Sequence, residues 1–352
     1  MRGFRCEAVS CLLALGAALA MAPGTARAAP PPLTTEEAMI PVPGDPSLKL
    51  YLREKHPAGM TSVPGERILL FVHGATYPSE TAFDLPLAGV SMMDLIAQQG
   101  WDVWLVDVRG YGGSTRPPAM EQPPEANPPF ADTEQAAADV GAAVDHIRQV
   151  RGVQRINLMG WSWGTAIMGL YTSRHNDLVN RLVLYAPMWL FQGTPPLGGD
   201  KPLGAYRTVT QEQARERWLK GVAPDQQASL IPPGWFEQWA KATWATDPEG
   251  GGRTLRAPNG VLADVRRYWA AGKAQYDPAD IRVPTLIIHA EWDADLPDYM
   301  ALGYFAHLTH TPYKRLVQLG EGTHTVMMEK NRMQFFHEVM SFLDERDPQA
   351  LR

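Results

Sequence analysis

Apolar and polar positions along this chain follow two rhythms: short continuous apolar runs, and longer stretches with helical spacing. Runs at residues 37–42 and 48–54 are separated by the turn residues Pro43, Gly44, Asp45 and Pro46, which predicts an antiparallel start to a sheet. Strands and helices then alternate. Strands are expected over 67–72, 101–106, 155–159 and 181–185, with helices over 85–99, 133–150 and 165–175 between or after them. After a break the pattern resumes with strand 284–289, helix 297–307, strand 314–319 and helix 325–343. The expected fold class is α/β, with an eight-stranded, mostly parallel sheet flanked by helices.

The break falls between two strands of one sheet, so residues 188–280 are expected to form an inserted helical cap, with core segments 29–187 and 281–352 on either side. The insertion holds six of the 11 tryptophans. Trp235 and Trp239 share one helical face with Trp244 close behind, which suits either the insertion's own core or an apolar substrate pocket.

Composition adds a compartment to this picture. Arg2 and Arg5 precede an apolar stretch from Leu12 to Ala22, and Ala26-Arg27-Ala28 has the small-x-small form of a signal-peptidase site. Residues 1–28 are therefore expected to be a cleaved secretory signal, with an uncleaved anchor as the alternative; the stretch is well short of the roughly 20 residues of a membrane span. The expected location is periplasmic or extracellular. Both cysteines, Cys6 and Cys11, lie in this segment, so a mature chain has none and relies on its core. Cleavage takes the formal charge from -6 to -8, which disfavours nucleic acid and anionic membrane as partners and leaves a small-molecule substrate.

The chemistry is concentrated in Gly160-Trp161-Ser162-Trp163-Gly164, which follows an apolar run and precedes a helical one. A serine at such a sharp strand-to-helix turn has a strained backbone and small neighbours, and its hydroxyl stands out toward substrate. Serine is a weak nucleophile at neutral pH, so it needs a histidine to take its proton and an acid to orient that histidine. His324 follows the last strand, where a parallel sheet presents its C-terminal edge; His289 competes but lies in or at the end of a strand. Asp293 follows the preceding strand, with Asp295 and Glu291 as alternatives. The oxyanion needs fixed N–H donors, expected from Trp163 and from Ala75 or Thr76 in the loop after strand 67–72. His73 in that loop is expected to bond backbone. Trp161 and Thr76 are the expected substrate contacts. No metal-ligand or nucleotide-binding motif is present, so no metal or cofactor is expected.

Ser162, Asp293 and His324, in that order, together with His73-Gly74 and the run from Asp107 to Ser114, resemble the α/β-hydrolase superfamily over about residues 35–347. The resemblance implies that the insertion is a cap and that Asp107, Arg109 and Gly110 are structural. It points to acyl transfer to water, since the nucleophile is serine and not aspartate. The expected activity is carboxylic-ester hydrolysis on an apolar or aromatic substrate. Lactone, amide and carbon–carbon cleavage remain open, and Glu237, Asp247 and Glu249 are candidates to hold a substrate amine. A non-catalytic binding protein on the same scaffold is the reading from another class.

Overall fold

The structure, a computed structural model, describes residues 30–193 and 201–345. The expected signal, residues 1–28, lies outside the described residues, as does part of the Gly/Pro loop around 193–199. Among the described residues no helix is long and apolar enough to cross a membrane.

Among the described residues, ten strands and ten α-helices follow in chain order. The strands are β1 Leu33–Val42, β2 Asp45–Pro57, β3 Ile68–Val72, β4 Asp102–Asp107, β5 Ile156–Trp161, β6 Val179–Tyr185, β7 Tyr206–Thr210, β8 Thr254–Pro258, β9 Thr285–Ala290 and β10 Lys314–Leu319. The helices are α1 Ser79–Phe83, α2 Met92–Ala97, α3 Thr133–Arg151, α4 Trp163–Arg174, α5 Gln211–Trp218, α6 Pro224–Leu230, α7 Trp235–Ala245, α8 Gly260–Arg267, α9 Asp298–His307 and α10 Arg332–Asp344. The main sheet has eight strands in the order β1-β2-β4-β3-β5-β6-β9-β10, antiparallel at β1, β2 and β4 and parallel from there on. Strands β3, β4, β5 and β9 are buried at every position, which is why they read as unbroken apolar runs.

Helix boundaries follow local chemistry. A capping box between Asp132 and Gln135 starts α3, and Gly152, at φ 66°, ends it in the left-handed region. The helix expected over 85–99 is shorter. Pro86 and the left-handed Ala88 (φ 52°) break it, and Ser91 caps a fresh start at α2. Likewise the last helix begins at Arg332, not near 325, after a 3-10 turn at Val326–Met328.

The insertion lies between β6 and β9. It is less purely helical than its sequence suggests: β7 and β8 form a separate antiparallel ribbon beside α5 to α8. Trp218, Phe236, Trp239 and Trp244 pack edge-on against one another, and Trp239 meets Tyr77 of the core at 4.7 Å between ring centres. Trp239 and Trp244 belong to the insertion's own core and its seat on the loop after β3, while Trp218 also lines a cavity.

Candidate active site

The turn from β5 into α4 holds Ser162 at φ 59° and ψ -122°, a conformation that costs an L-residue energy and persists because its surroundings fix it. Ser162 N–H donates to the Tyr185 carbonyl at 2.9 Å, and the Thr165 N–H and hydroxyl both donate to the Ser162 carbonyl. The flanking glycines answer to space. A Cβ on Gly160 would lie 2.2 Å from the Gly164 carbonyl oxygen, and one on Gly164 would lie 2.6 Å from the His73 oxygen. Ser162 is 3 % exposed, and its hydroxyl faces a cavity shared with His324.

His324 sits on the loop after β10 and Asp293 on the loop after β9, adjacent strands whose parallel pairing puts both loops at one edge. His324 Nδ1 lies 2.8 Å from Asp293 Oδ2. The other Asp293 oxygen accepts the N–H groups of Asp295 and Leu296 at 3.0 and 2.9 Å, so the carboxylate is fixed in direction. His324 is held from its backbone side by Trp161, whose indole N–H donates to the His324 carbonyl at 2.8 Å. The alternatives have other partners, although Asp295 also lines the cavity. His289 is buried in β9 with Nε2 at the Leu296 carbonyl. Glu291 accepts from the Glu321 N–H, and Asp295 pairs with Arg217.

The loop after β3 passes close beside the serine, with a Cβ on Gly74 falling 3.0 Å from Ser162 Cβ. Ala75 and Thr76 both line the cavity. Among the described residues neither the Ala75 nor the Trp163 N–H has a protein acceptor, and both belong to segments that meet at Ser162. The Trp163 ring turns away, with its indole N–H on the Thr133 hydroxyl at 2.9 Å; of the two flanking tryptophans only Trp161 lines the cavity. His73 acts on backbone, as expected: it receives the Val108 N–H on Nε2, which makes Nδ1 the donor to the Gly74 carbonyl at 2.7 Å. Complete burial lowers its pKa to about 4, so the ring is neutral. Asp107 is likewise structural, accepting the Ser79 and Gly113 N–H groups, and burial raises it to about 6.

Several neighbours carry no sequence signal. From the insertion, Arg207 donates to the Ala75 carbonyl at 2.6 Å and to the Thr76 hydroxyl at 3.0 Å. Arg217, near the end of α5, donates to Asp295 at 2.5 Å and to the Thr76 hydroxyl at 3.3 Å. Beneath His324, the wholly buried Glu329 accepts the Trp218 indole N–H at 2.9 Å, the Thr325 hydroxyl at 2.9 Å, the Thr323 N–H at 3.0 Å and the Thr323 hydroxyl. Burial, offset in part by these donors, leaves its pKa raised. The acids considered as amine holders face other arginines: Glu237 pairs with Arg215, and Asp247 and Glu249 with Arg256. None of the three lines the cavity. Its free volume of about 20 Å³ is room for about one water molecule.

A serine on a strained strand-to-helix turn, beside a histidine and an acid from the next two sheet loops, sits within a matching profile: the α/β-hydrolase fold profile covers residues 67–331. The chain belongs to the α/β-hydrolase family. Among solved structures it resembles a serine hydrolase from the polyaromatic-hydrocarbon-degrading bacterium Cycloclasticus zankles, at 16 % identity and a TM-score of 0.57, covering 88 % of this chain and 98 % of that one. It also resembles the 2-hydroxy-6-oxo-6-phenylhexa-2,4-dienoate hydrolase of a Rhodococcus strain, at 16 % identity and a TM-score of 0.56, over 89 % and 100 % of the two chains. A thermophilic esterase from Thermogutta terrifontis matches at 16 % identity and a TM-score of 0.55, over 88 % and 98 %. At such identities the likeness is one of fold. The curated lipase lipl-5 of Caenorhabditis elegans is 29 % identical over 129 residues, 35 % of this chain, and the match spans about a third of that lipase, 32 %.

Proposed function

We propose that this α/β hydrolase is an exported serine esterase that cleaves a carboxylic ester through an acyl-enzyme, with Ser162, His324 and Asp293 as its triad. The observation that carries the reading is the 2.8 Å contact of His324 Nδ1 with Asp293, made while His324 and Ser162 line one cavity. Asp293 keeps the proton on Nδ1 and so leaves Nε2 free to act as base. Ser162 Oγ attacks the ester carbonyl as His324 takes its proton. The Ala75 and Trp163 N–H groups hold the oxyanion, and His324 returns the proton to the departing alcohol. Water then repeats the cycle on the acyl-enzyme, releasing the acid and restoring the serine.

The insertion acts as a cap. With room for about one water over the serine, the site admits substrate when the cap shifts, and the closed form keeps solvent from the chemistry. Trp161, Trp218 and Ala214 give the cavity an apolar wall for the acyl or alcohol part of a small molecule. The partial relative named as a lipase supports an ester over an amide, and so does the engagement of Glu237, Asp247 and Glu249 away from the cavity. The test is release of p-nitrophenolate from a short-chain ester by the protein without residues 1–28, beside Ser162→Ala and before and after a fluorophosphonate. Turnover that disappears in the variant and on labelling is the expected result. A protein that neither labels nor turns over the ester would refute it.

A further inference from the structure

One wall of the cavity is polar in a way that ester hydrolysis alone does not require. Tyr77 lines it, is 6 % exposed, and its hydroxyl has no hydrogen-bond partner among the described residues. The ring is packed edge-on against Trp239, 4.7 Å between ring centres. Beside it stands Arg217. Its Nε is taken by Asp295 and its Nη1 by the Thr76 hydroxyl, while Nη2 meets no acceptor among the described residues. The side chain keeps 25 % of its exposure and lines the cavity.

Charge at this wall is out of balance. Asp295 is faced by two cations, Arg217 and the Lys220 ammonium at 3.7 Å. Arg207 lies behind Thr76, bonded to carbonyl, amide and hydroxyl oxygens. Of the other carboxyl groups nearby, Asp293 is matched to His324, and Glu329 is buried among the donors of Trp218, Thr323 and Thr325. Arg217 and Arg207 therefore stand at this wall with Asp295 as their near carboxylate, which the half-exposed Lys220 also reaches, in a protein whose overall formal charge is -6. Clustering positive charge in a partly desolvated cleft, against the sign of the whole molecule, is costly unless something anionic binds there.

We propose that this wall is a subsite for a carboxylate on the substrate. Arg217 Nη2 and the Tyr77 hydroxyl donate to it while the ester carbonyl of the same molecule lies at Ser162. The substrate class is then a half-ester of a dicarboxylic acid, or an ester whose alcohol part bears the carboxylate. The inference rests on the serine-esterase reading and narrows it.

The experiment compares the p-nitrophenyl half-ester of glutaric acid with its neutral, methyl-capped diester. Wild type is expected to favour the half-ester about 10- to 100-fold in kcat/KM, the size of a charge-assisted contact. Arg217→Gln brings that ratio close to one. Tyr77→Phe, which leaves the Arg217–Asp295 pair in place, lowers it several-fold. Free glutarate, and not dimethyl glutarate, is expected to slow fluorophosphonate labelling of wild type and to lose this effect in Arg217→Gln, which reads the subsite without turnover. A wild-type ratio of one with no protection by glutarate overturns the subsite and leaves the esterase standing, and so does a ratio unchanged in Arg217→Gln. Absence of both labelling and turnover of either ester fails the esterase reading itself.

Discussion

Glu329 offers a sharp test of how the histidine loop is held, because a fully buried carboxylate with four donors and no cation partner among the described residues can be perturbed by a single atom. Glu329→Gln keeps the shape. With its oxygen at the Oε1 place it retains the bonds from Trp218, Thr323 and Thr325 side chains, but its amide NH2 then points at the Thr323 N–H, donor against donor. Leaving that buried N–H unpaired costs about 1–3 kcal/mol, which lowers Tm by about 2–5 °C for a chain of this size. The pH dependence has a definite sign. Burial raises the folded pKa of Glu329 above the unfolded value, so the folded state holds the proton more tightly and its stability falls as pH rises from the unfolded to the folded pKa. Glutamine has no such loss, and the gap between wild type and variant is expected to narrow from pH 4.5 to pH 8. Thr323 and Thr325 flank His324, so a loosened loop misplaces the base, and kcat is expected to drop about 10- to 100-fold. Thermal melts across this range and ester turnover at pH 8 measure both effects. A variant that melts with wild type at acid pH and turns over at the same rate would refute the reasoning.

Two further predictions follow from buried groups. His73 is neutral in the fold with a pKa of about 4, so the unfolded chain binds the extra proton between about pH 6.5 and pH 4. Its contribution is intact above the unfolded value, and about 3 kcal/mol is lost as pH falls through this window; melts of His73→Gln are expected to be flatter there, and an unchanged slope counts against the assignment. Arg207→Ala leaves the Ala75 carbonyl with the Tyr111 hydroxyl alone and removes a cation from the oxyanion loop. It is expected to lower kcat about 10- to 100-fold with a smaller change in KM, Arg207→Lys recovering part; equal losses for both substitutions would point to packing instead.

How much of this was legible in the sequence depended on the range of the interactions. Strands β3, β4, β5 and β9 lie between helix layers, so their burial is written into consecutive apolar residues. That Ser162, Asp293 and His324 come together was legible because each lies on the loop or turn that follows a strand, and a parallel sheet gathers such positions at one edge. The ribbon β7–β8 was missed because its strands are only five residues long: β7 is half exposed and largely polar, and β8 buries just Leu255, Ala257 and Pro258. The helix expected over 85–99 failed through local chemistry that periodicity does not weigh, at Pro86 and Ala88. Arg217 reaches Thr76 across 141 positions and Arg207 reaches Ala75 across 132, and no spacing rule spans such distances.

Those long-range bonds share one feature. Each loop that carries part of the proposed chemistry is tied to the insertion by a polar link. Arg207 holds the oxyanion loop through Ala75 and Thr76, Arg217 holds the acid loop through Asp295, and Trp218 holds the histidine loop through Glu329. Two of the links come from adjacent residues at the end of α5. A shift of α5 wide enough to admit substrate therefore strains the acid and histidine loops together and gives up the Arg217–Thr76 bond, while the ribbon link from Arg207 can stay in place. Closure after binding restores both at once. Under the proposed mechanism, binding energy spent on closing the cap is in this way also spent on aligning His324, so catalytic competence is expected to depend on an occupied and closed site. Such coupling favours substrates that stabilise the closed cap, and a carboxylate between Arg217 and Tyr77 would do that from the same helix end.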